Sequence, residues 1–262
     1  MQATADRLIE VDGLRLNVSI RGQGTPLLLI NGLGGLISSF DPLRMQLPDY
    51  CTITFDVPGI GQSQMPDSPL RLPRHADLLA RLLDVLELPR IDLFGVSWGG
   101  ALAQEFALRH PTRLRRLILA ATSAGPALLI KPGDMLAYFD AGTHAQDSQG
   151  LAQSGHRRNS MRTLLKVGGV QRMLSQNPRA YYHQLMAVLG WTSLPRLWRL
   201  RAPTLIIAGE QDWLTRLYNA RILHRAIPRS ELAIVPHEGH FFVVTSAAET
   251  AELIRGFLQK GR

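Results

Sequence analysis

Gly95-Val96-Ser97-Trp98-Gly99 is the segment of this chain best suited to chemistry. A serine with glycines two places before and two places after it fits a sharp strand-to-helix turn, the nucleophile elbow. The side chains missing at residues 95 and 99 would otherwise collide with the neighbouring strand and helix. The turn lifts the serine oxygen above the N-terminus of the next helix. Unpaired N–H groups and the positive end of the helix dipole are available there to an oxyanion. An idle serine in a glycine-rich turn gives the same five letters, so the surroundings carry the weight. Residues 91–94 are a strand-like run, and residues 101–108 form helix.

A serine hydroxyl needs a base to take its proton and a third group to orient that base. For a serine on such an elbow the acid follows next in the chain and the histidine last. Residues 204–208 are an apolar strand running into Gly209-Glu210-Gln211-Asp212. Asp212 is the expected acid and Glu210 its local rival; a helix N-cap or a surface acid is the plainer alternative. Residues 231–235 run into Pro236-His237-Glu238-Gly239-His240. His240, after a glycine that permits a tight turn, is the expected base, and His237 is its rival. The other six histidines (His75, His110, His144, His156, His183 and His224) follow no suitable strand end. The backbone N–H of Trp98 is one expected oxyanion donor. Leu33, in Asn31-Gly32-Leu33-Gly34-Gly35, supplies the other, although these glycines also suit a merely flexible turn. The route is two-step, through an acyl-enzyme on Ser97, and requires no metal or organic cofactor.

These groups need a scaffold. Residues 8–11 and 14–20 flank Asp12-Gly13, a hairpin signal. Residues 27–30 and 51–55 read as buried strands, and 114–120, 204–207 and 231–235 complete the set. Helices are expected from about 38 to 47, after Pro73, to about 109, over 216–226 and over 247–258. Leu78, Leu79, Leu82, Leu83 and Leu86 recur at helical spacing. Strands alternating with helices indicate α/β architecture: a mostly parallel, eight-stranded sheet covered on both faces, with an antiparallel edge. Between 125 and 200 the alternation stops. Residues 126–200 are expected to form a helical cap on a core made of 1–125 and 201–262.

The chain has 262 residues, 45% of them hydrophobic and 19% charged, an ordinary globular balance. Its net charge is +8 and its pI about 10.3. The arginines are dispersed and no nucleic-acid motif appears, so a nucleic-acid partner is not expected. The densest basic cluster (Arg157, Arg158, Arg162, Lys166 and Arg172) fits a solvated face, or docking to an anionic surface. The single cysteine, Cys51, allows no intramolecular disulfide and fits a reducing compartment. The first ten residues lack a secretory apolar region, and no apolar run reaches the about 18 residues of a membrane span.

Together these segments resemble the α/β-hydrolase superfamily, and within it the intracellular depolymerases of medium-chain-length poly(3-hydroxyalkanoates). The resemblance is carried by Ile30-Asn31-Gly32-Leu33-Gly34, by Phe55-Asp56-Val57-Pro58-Gly59-Ile60-Gly61 and by Gly95-Val96-Ser97-Trp98-Gly99-Gly100. Leu189-Gly190-Trp191-Thr192-Ser193 and Gly239-His240-Phe241-Phe242-Val243-Val244-Thr245 extend it. It implies Ser97 as nucleophile, Asp212 as acid and His240 as base. The implied substrate is a hydrophobic polyester stored in cytoplasmic granules, and the implied products are 3-hydroxyalkanoic acids. Tyr182, Leu185, Met186, Leu189 and Trp191, with Tyr181 and Trp198, could line a cleft for alkyl side chains; packing of cap on core is the plainer alternative. The chain departs from the pattern at Gln62, where glycine is expected, and at Glu210-Gln211-Asp212-Trp213, where a more acidic run ends in proline. A small-molecule carboxylesterase or lactonase with the same triad, and a catalytically silent granule- or ligand-binding protein, are the competing expectations.

Overall fold

Residues 27–30 and 91–94, the two apolar runs nearest the elbow, lie side by side at the centre of one sheet. The computed structural model describes residues 6–125 and 177–260. Its strands are β1 (Arg7–Val11), β2 (Leu14–Arg21), β3 (Thr25–Ile30), β4 (Tyr50–Phe55), β5 (Ile91–Val96), β6 (Leu114–Ala120), β7 (Thr204–Gly209) and β8 (Ser230–Val235). The sheet order is β1-β2-β4-β3-β5-β6-β7-β8. The β1–β2 hairpin and its pairing to β4 are antiparallel, and every pairing from β4 to β8 is parallel. The fold is therefore α/β with an eight-stranded, mostly parallel sheet.

Successive strand residues point to opposite faces, and the central strands are apolar on both. Leu28, Ile30 and Leu93 meet one layer, made largely by α2 (Leu72–Val85) and α3 (Trp98–Arg109). Leu27, Leu29 and Phe94 meet the other, where Phe40, Leu43, Phe242, Ile254 and Leu258 are buried. That second layer comes from a 3-10 turn at Ile37–Phe40, α1 (Asp41–Met45), α6 (Phe242–Thr245) and α7 (Ala247–Gln259). The helix expected over 38–47 is thus split. Pro42 stands in the first turn of α1; lacking an N–H, it can begin an α-helix but not continue one.

Of the expected cap, residues 126–176 and their basic cluster lie outside the described residues. The described remainder holds α4 (Pro178–Val188) and a 3-10 stretch at Leu194–Arg199. Asn177 caps α4 by accepting the Ala180 N–H at 3.1 Å, and Pro178 occupies its first turn. Arg71 holds the other end, donating to the carbonyls of Met186 and Leu189. The chain leaves β6 and returns at the same spot, for Ser193 N donates to Ala124 O at 2.8 Å and Thr192 Oγ1 to the same oxygen at 2.7 Å. It then continues through β7, α5 (Leu217–Ala226) and β8. Among the described residues, no helix is long and apolar enough to cross a membrane.

Candidate active site

Ser97 joins β5 to α3 with φ 54° and ψ −117°, a conformation that L-residues avoid. Such strain persists where neighbours over-determine it, and here they do. Ser97 N donates to Ala120 O at 2.9 Å, and Thr122 Oγ1 donates to Ser97 O at 2.7 Å. A Cβ on Gly95 would lie 2.8 Å from Ala103 Cβ, and one on Gly99 would strike the carbonyls of Ile30 and Asn31. The two glycines are therefore a condition for this turn, as the five-residue pattern suggests.

Strands β5, β7 and β8 run parallel, so their C-terminal ends deliver Ser97, Asp212 and His240 to one edge of the sheet. His240 Nε2 stands 3.1 Å from Ser97 Oγ, and His240 Nδ1 stands 2.8 Å from Asp212 Oδ2. A carboxylate accepts, so Nδ1 carries the proton and Nε2 is left to accept from Ser97. Gln211 N donates to Glu238 O at 2.8 Å, tying the loop after β7 to the loop after β8.

Asp212 is buried, and burial alone would push its carboxyl upward. The adjacent His240 and the hydrogen bonds from His240 and Thr215 outweigh that, holding it below the usual carboxylate range. Its Oδ1 accepts from Leu214 N at 2.9 Å and Thr215 N at 2.8 Å, and its Oδ2 accepts from Thr215 Oγ1 at 2.5 Å. Thr215 Oγ1 is also 3.2 Å from His240 Nδ1. Sequence reasoning missed Thr215; a threonine three residues past an acid has no distinctive pattern. The two rivals pair with each other instead. Glu210 Oε2 accepts the His237 N–H at 2.9 Å, and the His237 side chain is 88% exposed.

Trp98 opens α3, where a backbone N–H has no intrahelical acceptor. Leu33 lies in a turn closed by Gly35 N donating to Gly32 O at 3.1 Å. Gly32 lies against Ser97, since a Cβ there would sit 3.3 Å from Ser97 Cβ. The two expected oxyanion donors thus flank the serine. Asn31 braces this loop through Leu36 O at 2.7 Å. Buried Asp56 binds it to the next loop, accepting from Ile37 N, Asn17 Nδ2 and Gln62 N. The side chain of Gln62 is exposed and only its backbone N–H is used, which explains why glycine is dispensable there.

The cap residues divide. Tyr182, Leu185, Met186 and Leu189 recur at one-face spacing on α4 and its C-cap; Tyr182 and Leu189 are exposed, and Leu185 and Met186 are half-buried. Trp198 is exposed and Tyr181 buried. Trp191 departs from the expectation of a cleft lining. It is buried in the core, and its indole donates to Glu105 Oε2 at 2.9 Å. Ser193 Oγ likewise donates to Gln104 Oε1 at 2.6 Å, so the stretch around Trp191 fastens the returning chain to α3.

A family model described as alpha/beta hydrolase fold matches residues 25–247. The chain is 38% identical to the poly(3-hydroxyalkanoate) depolymerase of Ectopseudomonas oleovorans, over 98% of this chain and 93% of that protein. Among solved structures it is similar to a hydrolase from Pseudomonas aeruginosa PA01, with TM-score 0.79, 26% identity and coverage of 95% and 96% of the two chains. It is also similar to Est816, described as an N-acyl homoserine lactone degrading enzyme, with TM-score 0.79, 27% identity and coverage of 96% and 100%. A strained serine between β5 and α3, at the edge where β7 and β8 also end, is the local counterpart of these whole-chain matches, and the chain belongs to the alpha/beta hydrolase fold family.

Proposed function

We propose that this protein is a serine esterase that cleaves medium-chain-length poly(3-hydroxyalkanoate) on cytoplasmic granules and releases 3-hydroxyalkanoic acids. The observation that carries the chemistry is the unbroken line Asp212–His240–Ser97, with contacts of 2.8 and 3.1 Å. In this reading His240 Nε2 takes the proton as Ser97 Oγ attacks the ester carbonyl. The N–H groups of Leu33 and Trp98 receive the oxygen that becomes negative; one such donor typically accounts for about 2.7–4 kcal/mol of transition-state stabilisation. Ionised Asp212 holds the imidazole in the required tautomer and stabilises the imidazolium. His240 returns the proton to the departing alkoxide, then activates water to release the acyl group.

The polyester assignment is supported by the 38% identity to a protein named for that substrate, across nearly all of both chains. It is supported also by the apolar stripe at residues 182, 185, 186 and 189, a surface suited to alkyl side chains. The likeness to Est816 favours a second reading, hydrolysis of small soluble esters or lactones. Purified protein on amorphous medium-chain polyester granules decides between them. Release of 3-hydroxy acids by the wild type and none by Ser97→Ala is the expected result. Turnover of short soluble esters without any release from granules would overturn the depolymerase reading. Failure of a fluorophosphonate to label Ser97 in folded protein would remove the catalytic serine itself.

A further inference from the structure

Gln184 on α4 touches both segments that flank Ser97. Its Oε1 accepts the Gly34 N–H at 2.6 Å, and its backbone carbonyl accepts the indole N–H of Trp98 at 2.8 Å. The first contact matters because of the turn it grips. Gly35 N donates to Gly32 O, so Leu33 and Gly34 are the two central residues. Gly34 has φ +66°, while Leu33 is not among the residues with positive φ. That pair of signs defines a type II turn. Type I and type II turns differ by a flip of the central peptide, here Leu33–Gly34, and glycine permits either sign of φ. An acceptor fixed on one side of that peptide selects one of the two orientations. Gln184 Oε1 is such an acceptor. Because Gly34 N–H is committed to it, the Leu33 N–H is the donor of this peptide pair left for an oxyanion.

The rest of the Gln184 side chain argues against a role in stability alone. A backbone N–H only donates, so the carboxamide oxygen must face Gly34. The NH2 branch is then left without a hydrogen-bond partner among the described residues, although Gln184 is 1% exposed. A buried donor with no acceptor costs stability. Among the described residues only the oxygen of this side chain is used, and it is used on the turn beside Ser97.

We propose that Gln184 is a positioning residue for the oxyanion hole. It ties the Gly32–Gly35 turn to α4 through the Leu33–Gly34 peptide and so fixes the place of the turn, whose preceding Leu33 N–H is left to face the oxygen of the attacked carbonyl. The proposal rests on the assignment of Leu33 as an oxyanion donor and is independent of the polyester as substrate.

The test compares wild type, Gln184→Met and Gln184→Glu on a soluble p-nitrophenyl ester, with active sites titrated by a fluorophosphonate so that only folded enzyme is counted. Methionine has the length but offers no acceptor; glutamate keeps one. Gln184→Met is expected to lower kcat by roughly ten- to a hundredfold, the scale of a small misplacement of a catalytic group, with KM within about twofold. Affinity for a trifluoromethyl ketone, which binds as a tetrahedral oxyanion, should fall by the same factor, and Gln184→Glu should recover most of both losses. A kcat within about twofold of wild type in Gln184→Met, a kcat loss without loss of ketone affinity, or a glutamate variant as slow as the methionine one would each overturn the proposal. Should Gln184→Met not fold, Gln184→Leu is read by the same criteria. Granules play no part in the assay, so failure on polyester and failure of Gln184 are separate outcomes.

Discussion

Asp212 and Glu210 are two residues apart on one loop, and their surroundings are opposite. Asp212 is closed off from water and receives three N–H or O–H donors besides His240, whereas Glu210 is half exposed and pairs with His237. Asp212→Asn should therefore lower kcat by about 10⁴ through the wrong imidazole tautomer, while Glu210→Gln leaves it within about twofold; steady-state kinetics on a soluble ester reads both. Thr215→Val removes the hydroxyl that donates to Asp212 Oδ2 and should slow turnover by about tenfold. Asp212 also sets an acid limit on stability. Its carboxyl is held below the ordinary value of 3.8, so the stability it contributes is present above pH 3.8 and is lost as pH falls through the folded value. Thermal denaturation followed below pH 4 should show an acid limb that flattens in Asp212→Asn.

At the scale of the element, α4 and the stretch after it explain what the sequence hides. The meeting of Ser97, Asp212 and His240 is legible because each lies just past an apolar strand, and a parallel sheet brings such ends together. Thr215 and Gln184 are not legible. Gln184 meets Gly34 across 150 residues of chain, and no local period or turn signal records a contact of that span. Trp191 is misleading for a related reason, since an aromatic among apolar residues reads the same whether it lines a cleft or fills a core. Trp191→Phe takes a partner from Glu105, whose side chain is 2% exposed and, among the described residues, keeps Arg196 at 2.8 Å. The expected result is a loss of about 1–3 kcal/mol in denaturant titration with the preference among acyl chain lengths unchanged. A shifted preference at unchanged stability would return Trp191 to the cleft.

At the scale of the whole molecule, the central strands that lead to the site are buried on both faces. Phe94 is three residues before Ser97, fully buried and edge-on to Phe40 at 5.9 Å. Phe94→Ala should cost about 3–5 kcal/mol, measured by urea unfolding. The antiparallel edge, the parallel centre and the sequence of strands and helices follow from the apolar runs and the Asp12-Gly13 turn. The split at Pro42 and the bonds that hold α4 depend on packing, which local patterns do not report. One joint in this scaffold bears on how such enzymes diversify. Ala124 and Ser193 are far apart in the chain and bonded to each other in space, so whatever runs between them begins and ends at a single point. Closing a loop costs little more when the loop grows, about 0.6 kcal/mol for each doubling. Closure at this joint therefore sets little limit on the length of that excursion. A replacement joined at these two adjoining peptides meets the closure requirement, and it must still supply what Gln184 gives to Gly34 and Trp98 and what Trp191 gives to Glu105.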